Sequence, residues 1–408
     1  MDDVSLKVKD AVMARLDLTM DIPDEEVSSI IRDEICAIAK KTYLSLSERF
    51  AMEQRVYNAI KGLDVLEELL ADENITEIMI NGPDNIYIEQ AGKIGKANVA
   101  FPSDEKLSDV IQHIVADSNK VVNESTPICD TRLPDGSRVN IVVPPVAVEH
   151  SVVTIRKFPK EHMTFDKLLN FGAISKDLVE FIRALVIARY NIFVACGTGS
   201  GKTSFLNAMA EFIPPDERVI TIEDSAELQL TAVDNLVRLE ARSANLEGRG
   251  EVPIRALLKS SLRMRPDRII VGECRGAEAL EMLQAFDTGH DGSFSTGHAN
   301  SCKDMVHRLE TMVLMGTEIP ISAVRQQIGS AIDIMVHLGR LRDKSRKLLD
   351  IVEVDGMEDG EVLMHPLFSF VEEDEVNGRI IGSWQKVGEL KNQEKLRKSG
   401  LTLENFFT

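Results

Sequence analysis

The segment that most constrains this chain is Gly197-Thr198-Gly199-Ser200-Gly201-Lys202-Thr203. It follows the apolar run Ile192 to Ala195, read as a strand, and precedes Ser204 to Phe212, read as a helix. Alternating glycines let backbone N–H groups turn inward around a dense anion. The helix behind them aims its positive dipole end at the same point. Lys202 can then reach the β- and γ-phosphates of ATP, and the Thr203 hydroxyl can ligate Mg²⁺. Gly197, Thr198, Gly199, Ser200, Gly201, Lys202, Thr203 and Ser204 are the expected nucleotide-binding set. The usual pattern G-x-x-x-x-G-K-[ST] opens on glycine, and here that position is Cys196. The spine Gly197, Gly199, Gly201 is intact, so the expectation of a phosphate cradle stands.

A chain of 408 residues suggests two or three domains. Residues 1–70 read as a helical bundle, with Val27, Ile30, Ile31, Ile35 and Ile38 at helical spacing. Residues 71–156 read as an α/β domain. Its strand-like runs are Ile75 to Ile80, Ile86 to Ile88, Arg138 to Val143 and Val152 to Arg156, with a helix from Glu105 to Val115. Residues 157–175 read as a linker. In 176–408 strands alternate with helices, which argues for a mainly parallel sheet. The tail has hairpin-like strands and then a polar helix, Leu390 to Lys398, whose lysines read as a solvated face.

The formal charge is −19, from 47 basic and 66 acidic residues. That balance disfavours a general nucleic-acid binder, which needs a basic face. The five cysteines are scattered and form no C-x-x-C pair, so reduced thiols are expected and no zinc site. Cys196, Cys274 and Cys302 each fall beside a motif; a position that tolerates any small residue is the preferred reading, an activated thiol the sharper one. No stretch approaches the roughly 18 apolar residues of a membrane span. A cytoplasmic location is expected, with any membrane contact made through a partner.

Three further segments end strands on polar groups, where α/β sheets bind ligands. Val219 to Ile222 ends on Glu223 and Asp224, Arg268 to Val271 leads through Gly272 to Glu273, and Ser295 to Gly297 ends on His298. A buried acid after an apolar strand is costly unless it serves a metal or a water.

With these segments the chain resembles the type II/type IV secretion ATPase superfamily. The stretch RMRPDRIIVGECRGAEALEMLQAFDTGHDGSFSTGHANS, Arg263 to Ser301, is similar to the CpaF branch, the motors of tight-adherence (Flp, type IVc) pili. So are RLPDGSRVN, Arg132 to Asn140, and RLETMVLM, Arg308 to Met315. The resemblance implies a RecA-like P-loop ATPase domain preceded by a PAS-like α/β domain and the helical bundle. It implies Glu273 as the Walker B glutamate orienting water, Glu223 and Asp224 as Asp-box acids near Mg²⁺, and His298 as a γ-phosphate sensor. It also implies Thr203, Glu223, Asp224 and Glu273 as the metal set, and Arg132 and Arg138 as arginines that close over nucleotide. A homohexamer acting on an inner-membrane platform protein is the implied assembly, powering extension of the pilus, with retraction left open beside it. A conjugative DNA-transfer motor and a RecA-like nucleic-acid motor are the rival readings.

Overall fold

The computed structural model describes residues 3–16, 22–40, 43–90, 92–118, 120–158, 163–197, 199–242, 244 and 249–402. Thr198, expected in the phosphate loop, lies outside them. The chain divides into two compact units, Met1–Lys160 and Glu161–Thr408.

The first unit opens with helices α1 (Asp3–Met13), α2 (Asp24–Ala39) and α3 (Leu46–Ile60). Val27, Ile31 and Ile35 recur every four residues and so share one face of α2. They pack with Val8, Val12, Met52 and Val56 into one small core. Ser45 starts α3 with a reciprocal cap: its hydroxyl accepts from the Glu48 N–H at 3.3 Å, and Glu48 accepts from the Ser45 N–H at 2.7 Å. Helix α4 (Leu66–Ala71) leads into a sheet of β1 (Ile75–Asn81), β2 (Ile86–Gln90), β3 (Lys93–Lys96), β4 (Ile128–Arg132), β5 (Arg138–Val142) and β6 (Val152–Arg156), with α5 (Asp104–Asp117) between β3 and β4. The order is β3-β2-β1-β6-β5-β4, antiparallel throughout. Alternation does the work in β5, where Val139 and Ile141 are buried and Arg138 and Asn140 are exposed. Leu107, Val110, Ile111 and Ile114 of α5 share a core with Ile78, Ile80, Val153 and Ile155. Strands β3 and β4 were not among the expected strands. All four residues of β3 are exposed, so it carries no apolar period.

The second unit begins with α6 (Phe165–Asn170) and α7 (Lys176–Ile187). Helix α6 falls inside the span expected as a linker. Phe165 is buried, stacked on Phe212 at 4.8 Å and edge-on to Phe205 at 5.8 Å. That packing ties the segment to the second unit's core. There follow β7 (Ile192–Cys196), α8 (Lys202–Ala210), β8 (Arg218–Glu223), β9 (Asn235–Glu240), α9 (Ile254–Ser261), β10 (Arg268–Val271), α10 (Ala279–Asp287), β11 (Phe294–His298), α11 (Cys302–Gly316), α12 (Ile321–Ala331) and β12 (Ile334–Arg340). The chain closes with β13 (Arg346–Glu358), β14 (Glu361–Val376), β15 (Arg379–Lys386) and α13 (Glu394–Lys398). The nine strands run in the order β15-β14-β13-β12-β7-β11-β10-β8-β9. Strands β12 through β9 in that order are parallel, and the last three of the chain add antiparallel. Every residue of β7 and β10 is buried, as expected of strands covered on both faces.

The C-terminal segment keeps Lys391, Arg397 and Lys398 exposed, as expected of a solvated face, with Lys395 half-buried, and its other side is seated on the core. Leu390 and Leu396 are buried in the main core, and the buried Glu353 carboxylate accepts the N–H groups of Lys391 and Asn392 at 2.8 and 2.7 Å.

Candidate nucleotide site

The order β7-β11-β10-β8 sets the site. In register, His298 at the end of β11 lies beside Cys196 at the end of β7, and Val271 of β10 lies beside Ile222 of β8. The glycine loop, His298, Glu273 and Glu223 therefore leave one edge of the parallel sheet side by side.

The loop is shaped by backbone angles only glycine adopts freely. Gly199 has φ +72° and Gly201, which caps α8, has φ +98°. A Cβ on Gly197 or Gly199 would meet no protein atom within 4 Å, so the loop's own side leaves open space for a ligand. Ser200 donates to the Gly197 carbonyl at 2.8 Å and closes the turn. Lys202 and Thr203 follow in the first turn of α8, with Ser204 beside them. A positive helix end over an open glycine turn fits the phosphates of a nucleotide.

Lys202 Nζ donates to the Glu273 carboxylate and lies 3.0 Å from His298 Nε2. His298 Nδ1 faces the Cys196 carbonyl oxygen at 3.3 Å, which places the ring hydrogen there and leaves Nε2 to accept from Lys202. Glu273 Oε1 is 3.2 Å from that same Nε2, yet is buried with no hydrogen bond. The tautomer accounts for both facts. Arg275 donates from one nitrogen to Glu273 Oε2 at 2.9 Å and places another 3.4 Å from Asp224. Burial works against a charge on Glu273, but hydrogen bonds from Arg275 and Lys202 override it and hold the carboxyl at about 2.

Glu223 is nearly fully buried, and burial pushes its carboxyl up to about 6 against two backbone hydrogen bonds. Its Oε2 accepts from the N–H groups of Glu227 and Leu228 at 2.8 and 3.0 Å, while Oε1 has no partner. Thr203 donates to Glu227 at 3.3 Å. Glu223 and Glu273 each keep one buried carboxylate oxygen without a hydrogen-bond donor, the donor type a hard divalent cation takes. Among the described residues, however, no three acids, histidines or cysteines are gathered to hold a metal, so the expected set Thr203, Glu223, Asp224 and Glu273 does not form a closed cluster. Among the expected metal set, Thr203 reaches Glu227, and Asp224 joins Glu273 only through Arg275.

Arg275 and Glu227 were not singled out from sequence. Arg275 stands two residues past Glu273 and could have been flagged by that spacing. Glu227 gave no signal, because it reaches Thr203 only through the fold. Arg132 and Arg138 lie in the first unit, directly opposite each other across β4 and β5, with Arg156 opposite Arg138 on β6. The three motif cysteines are buried, and burial raises their thiols, Cys196 to about 11 and Cys302 to about 12. That is the reverse of an activated thiol.

Comparison with known proteins agrees with this geometry. Residues 59–388 match the family described as type II/IV secretion system protein. A putative conjugal transfer protein of Mycobacterium tuberculosis is 33% identical over 298 residues, covering 72% of this chain and 84% of that protein. The type IV secretion system protein VirB11 of Brucella suis is 34% identical over 304 residues, covering 68% and 84%. The crystal structure of the Legionella pneumophila ATPase DotB shares the fold, with a TM-score of 0.52 at 21% identity, covering 71% of this chain and 79% of that one. Both sequence relatives carry secretion or conjugal-transfer names, a broader grouping than the pilus branch. The chain belongs to the type II/IV secretion ATPase family and is an ATP hydrolase.

Proposed function

We propose that this chain is the subunit of a homohexameric cytoplasmic motor that powers assembly of a tight-adherence, type IVc pilus. It would push on a platform protein of the inner membrane. The observation that carries the hydrolytic part is Glu273, gathered with Lys202, His298 and Arg275 beside the phosphate loop. The pilus part rests on the similarity of Arg263 to Ser301 to the CpaF branch.

In this reading the loop N–H groups and Lys202 bind the β- and γ-phosphates. Thr203, Glu223, Asp224 and Glu273 would hold Mg²⁺, which neutralises phosphate charge when bound. Glu273 orients the attacking water, and His298 meets the γ-phosphate. Arg132 and Arg138 stabilise the transferring phosphoryl group. A head-to-tail interface closes six copies into a ring. No helix among the described residues is long and apolar enough to cross a membrane.

Lys202→Ala should abolish hydrolysis, and Glu273→Gln should keep nucleotide binding while stopping turnover. Glu273→Gln that hydrolyses ATP at the parental rate would overturn the assignment and direct attention to Glu223.

A second reading, a conjugal-transfer type of motor, is favoured by the names of the two sequence relatives. A nucleic-acid motor binds single strands with a steep salt dependence and is stimulated by them. We expect neither, and expect instead that a cytoplasmic fragment of a platform protein alters the ATPase rate. Polarisation binding of labelled single-stranded DNA across a salt series, beside an ATPase assay, separates the two. Tight, salt-steep binding with faster turnover would remove the pilus reading and leave the ATPase intact.

A further inference from the structure

We propose that Arg275 is a positioning residue that holds Glu273 in place while Lys202 exchanges that carboxylate for the phosphates of the nucleotide. The inference rests on reading Glu273 as the water-orienting group.

Glu273 Oε2 is shared by two cations, Lys202 and Arg275. They are unequal partners. Lys202 carries a compact ammonium on a flexible stem, and the same Nζ is needed at the phosphates. Arg275 carries a planar fork that spans Glu273 at 2.9 Å and Asp224 at 3.4 Å together. Its backbone is fixed on both sides. The N–H groups of Arg275 and Gly276 donate to Glu278 Oε1 at 2.7 and 2.8 Å, and the Cys274 N–H donates to the Thr296 carbonyl at 2.8 Å. The guanidinium therefore issues from a rigid turn next to the carboxylate it serves.

A carboxylate that faces one ammonium in a half-buried site competes with phosphate for it. A second cation on the same oxygen weakens that hold and leaves the carboxylate compensated when the ammonium moves. Without Arg275, Lys202 and Glu273 close into a private pair that the nucleotide must break, and Glu273 follows Lys202 away from Asp224.

The test is a double-mutant cycle between Arg275 and Glu273. It is read by the affinity of a fluorescent ADP analogue in EDTA and by kcat with Mg²⁺. Arg275→Ala should weaken ADP binding and lower kcat, each about tenfold, the scale of coupling between contacting charged groups. In the Glu273→Gln background the same substitution should leave ADP affinity within about twofold, because no anion then competes for Lys202. Arg275→Lys keeps the charge and loses the fork, so it should recover the affinity and not the kcat. Arg275 is 59% exposed, so its removal should spare the fold. Parental affinity and kcat in Arg275→Ala, with Glu273→Gln inactive, would overturn this inference alone. So would an equal affinity loss in both backgrounds. Parental turnover in Glu273→Gln would instead overturn the reading beneath it.

Discussion

Gly272 and Glu223 share one space: a Cβ on Gly272 would lie 2.8 Å from Glu223 Cγ. Gly272 stands between β10 and Glu273, and the neighbouring strand supplies the reason for a residue without a side chain there. Val271 pairs with Ile222, so the residue that follows β10 abuts the acid that ends β8. Gly272→Ala should push Glu223 off its bonds to Glu227 and Leu228. The expected cost is about 1–3 kcal/mol in urea unfolding, as for other overpacked sites. Combining it with Glu223→Ala should remove most of that cost. Additive losses would show that the contact is not the cause.

Glu223 also gives the protein a pH-dependent weakness. Its carboxyl is raised by burial from 4.5 to about 6 in the folded chain. A raised folded pKa means that the native state binds the proton more tightly than the unfolded chain does. The associated stability is full below pH 4.5 and is lost as pH rises through about 6. Glu223→Gln should therefore gain about 2 kcal/mol relative to the parent between pH 4 and pH 8. Denaturant unfolding in EDTA at the two pH values checks the sign; a gain at the acid end would refute it.

Arg156, Arg138 and Arg132 form a row across β6, β5 and β4, with Glu77 of β1 at its far end. Arg132→Ala and Arg138→Ala should each slow hydrolysis by about 10³-fold, the scale of an arginine acting on the transferring phosphoryl group. ADP affinity should fall much less. Equal, modest losses in both measurements would make these arginines structural.

Lys395 fixes the C-terminal segment to the second unit. Its Nζ is 2.7 Å from both Asp291 and Asp333, and 5.8 Å from the Tyr190 ring centre. Burial raises the Asp333 carboxyl against the pull of Lys395. Lys395→Ala should cost about 2–3 kcal/mol, toward the low end for breaking a buried pair because both groups keep some solvent contact. Asp333→Asn in the same chain should return part of that loss. A thermal midpoint unchanged by Lys395→Ala would show that the segment docks through Leu390 and Leu396 alone.

Cys196 stands where the phosphate-loop pattern has glycine, and its thiol donates to the Gly297 carbonyl at 3.6 Å. With the thiol pushed up to about 11 by burial, little thiolate is available to oxidants. ATPase activity should survive mild peroxide equally in the parent and in Cys196→Gly. Selective loss in the parent would count against this.

Sequence alone determined the local chemistry. Glycine spacing, Lys202 and Thr203 depend only on neighbours in the chain, and so do the apolar strands that end on Glu223, Glu273 and His298. Periodicity likewise gave the helices of the first unit and the α/β alternation of the second. What the tertiary structure decided came from residues far apart in sequence. The strand order β7-β11-β10-β8 brought Lys202 to Glu273 and His298 across 71 and 96 residues. It also seated Glu227 under Thr203 and let Glu223 fill the space left by Gly272. Strand β3, with no buried residue, and the docking of the C-terminal segment through Lys395 and Glu353 escaped the pattern for the same reason. Pairing partners and buried carboxylates supply their stability, and neither leaves a period in the sequence.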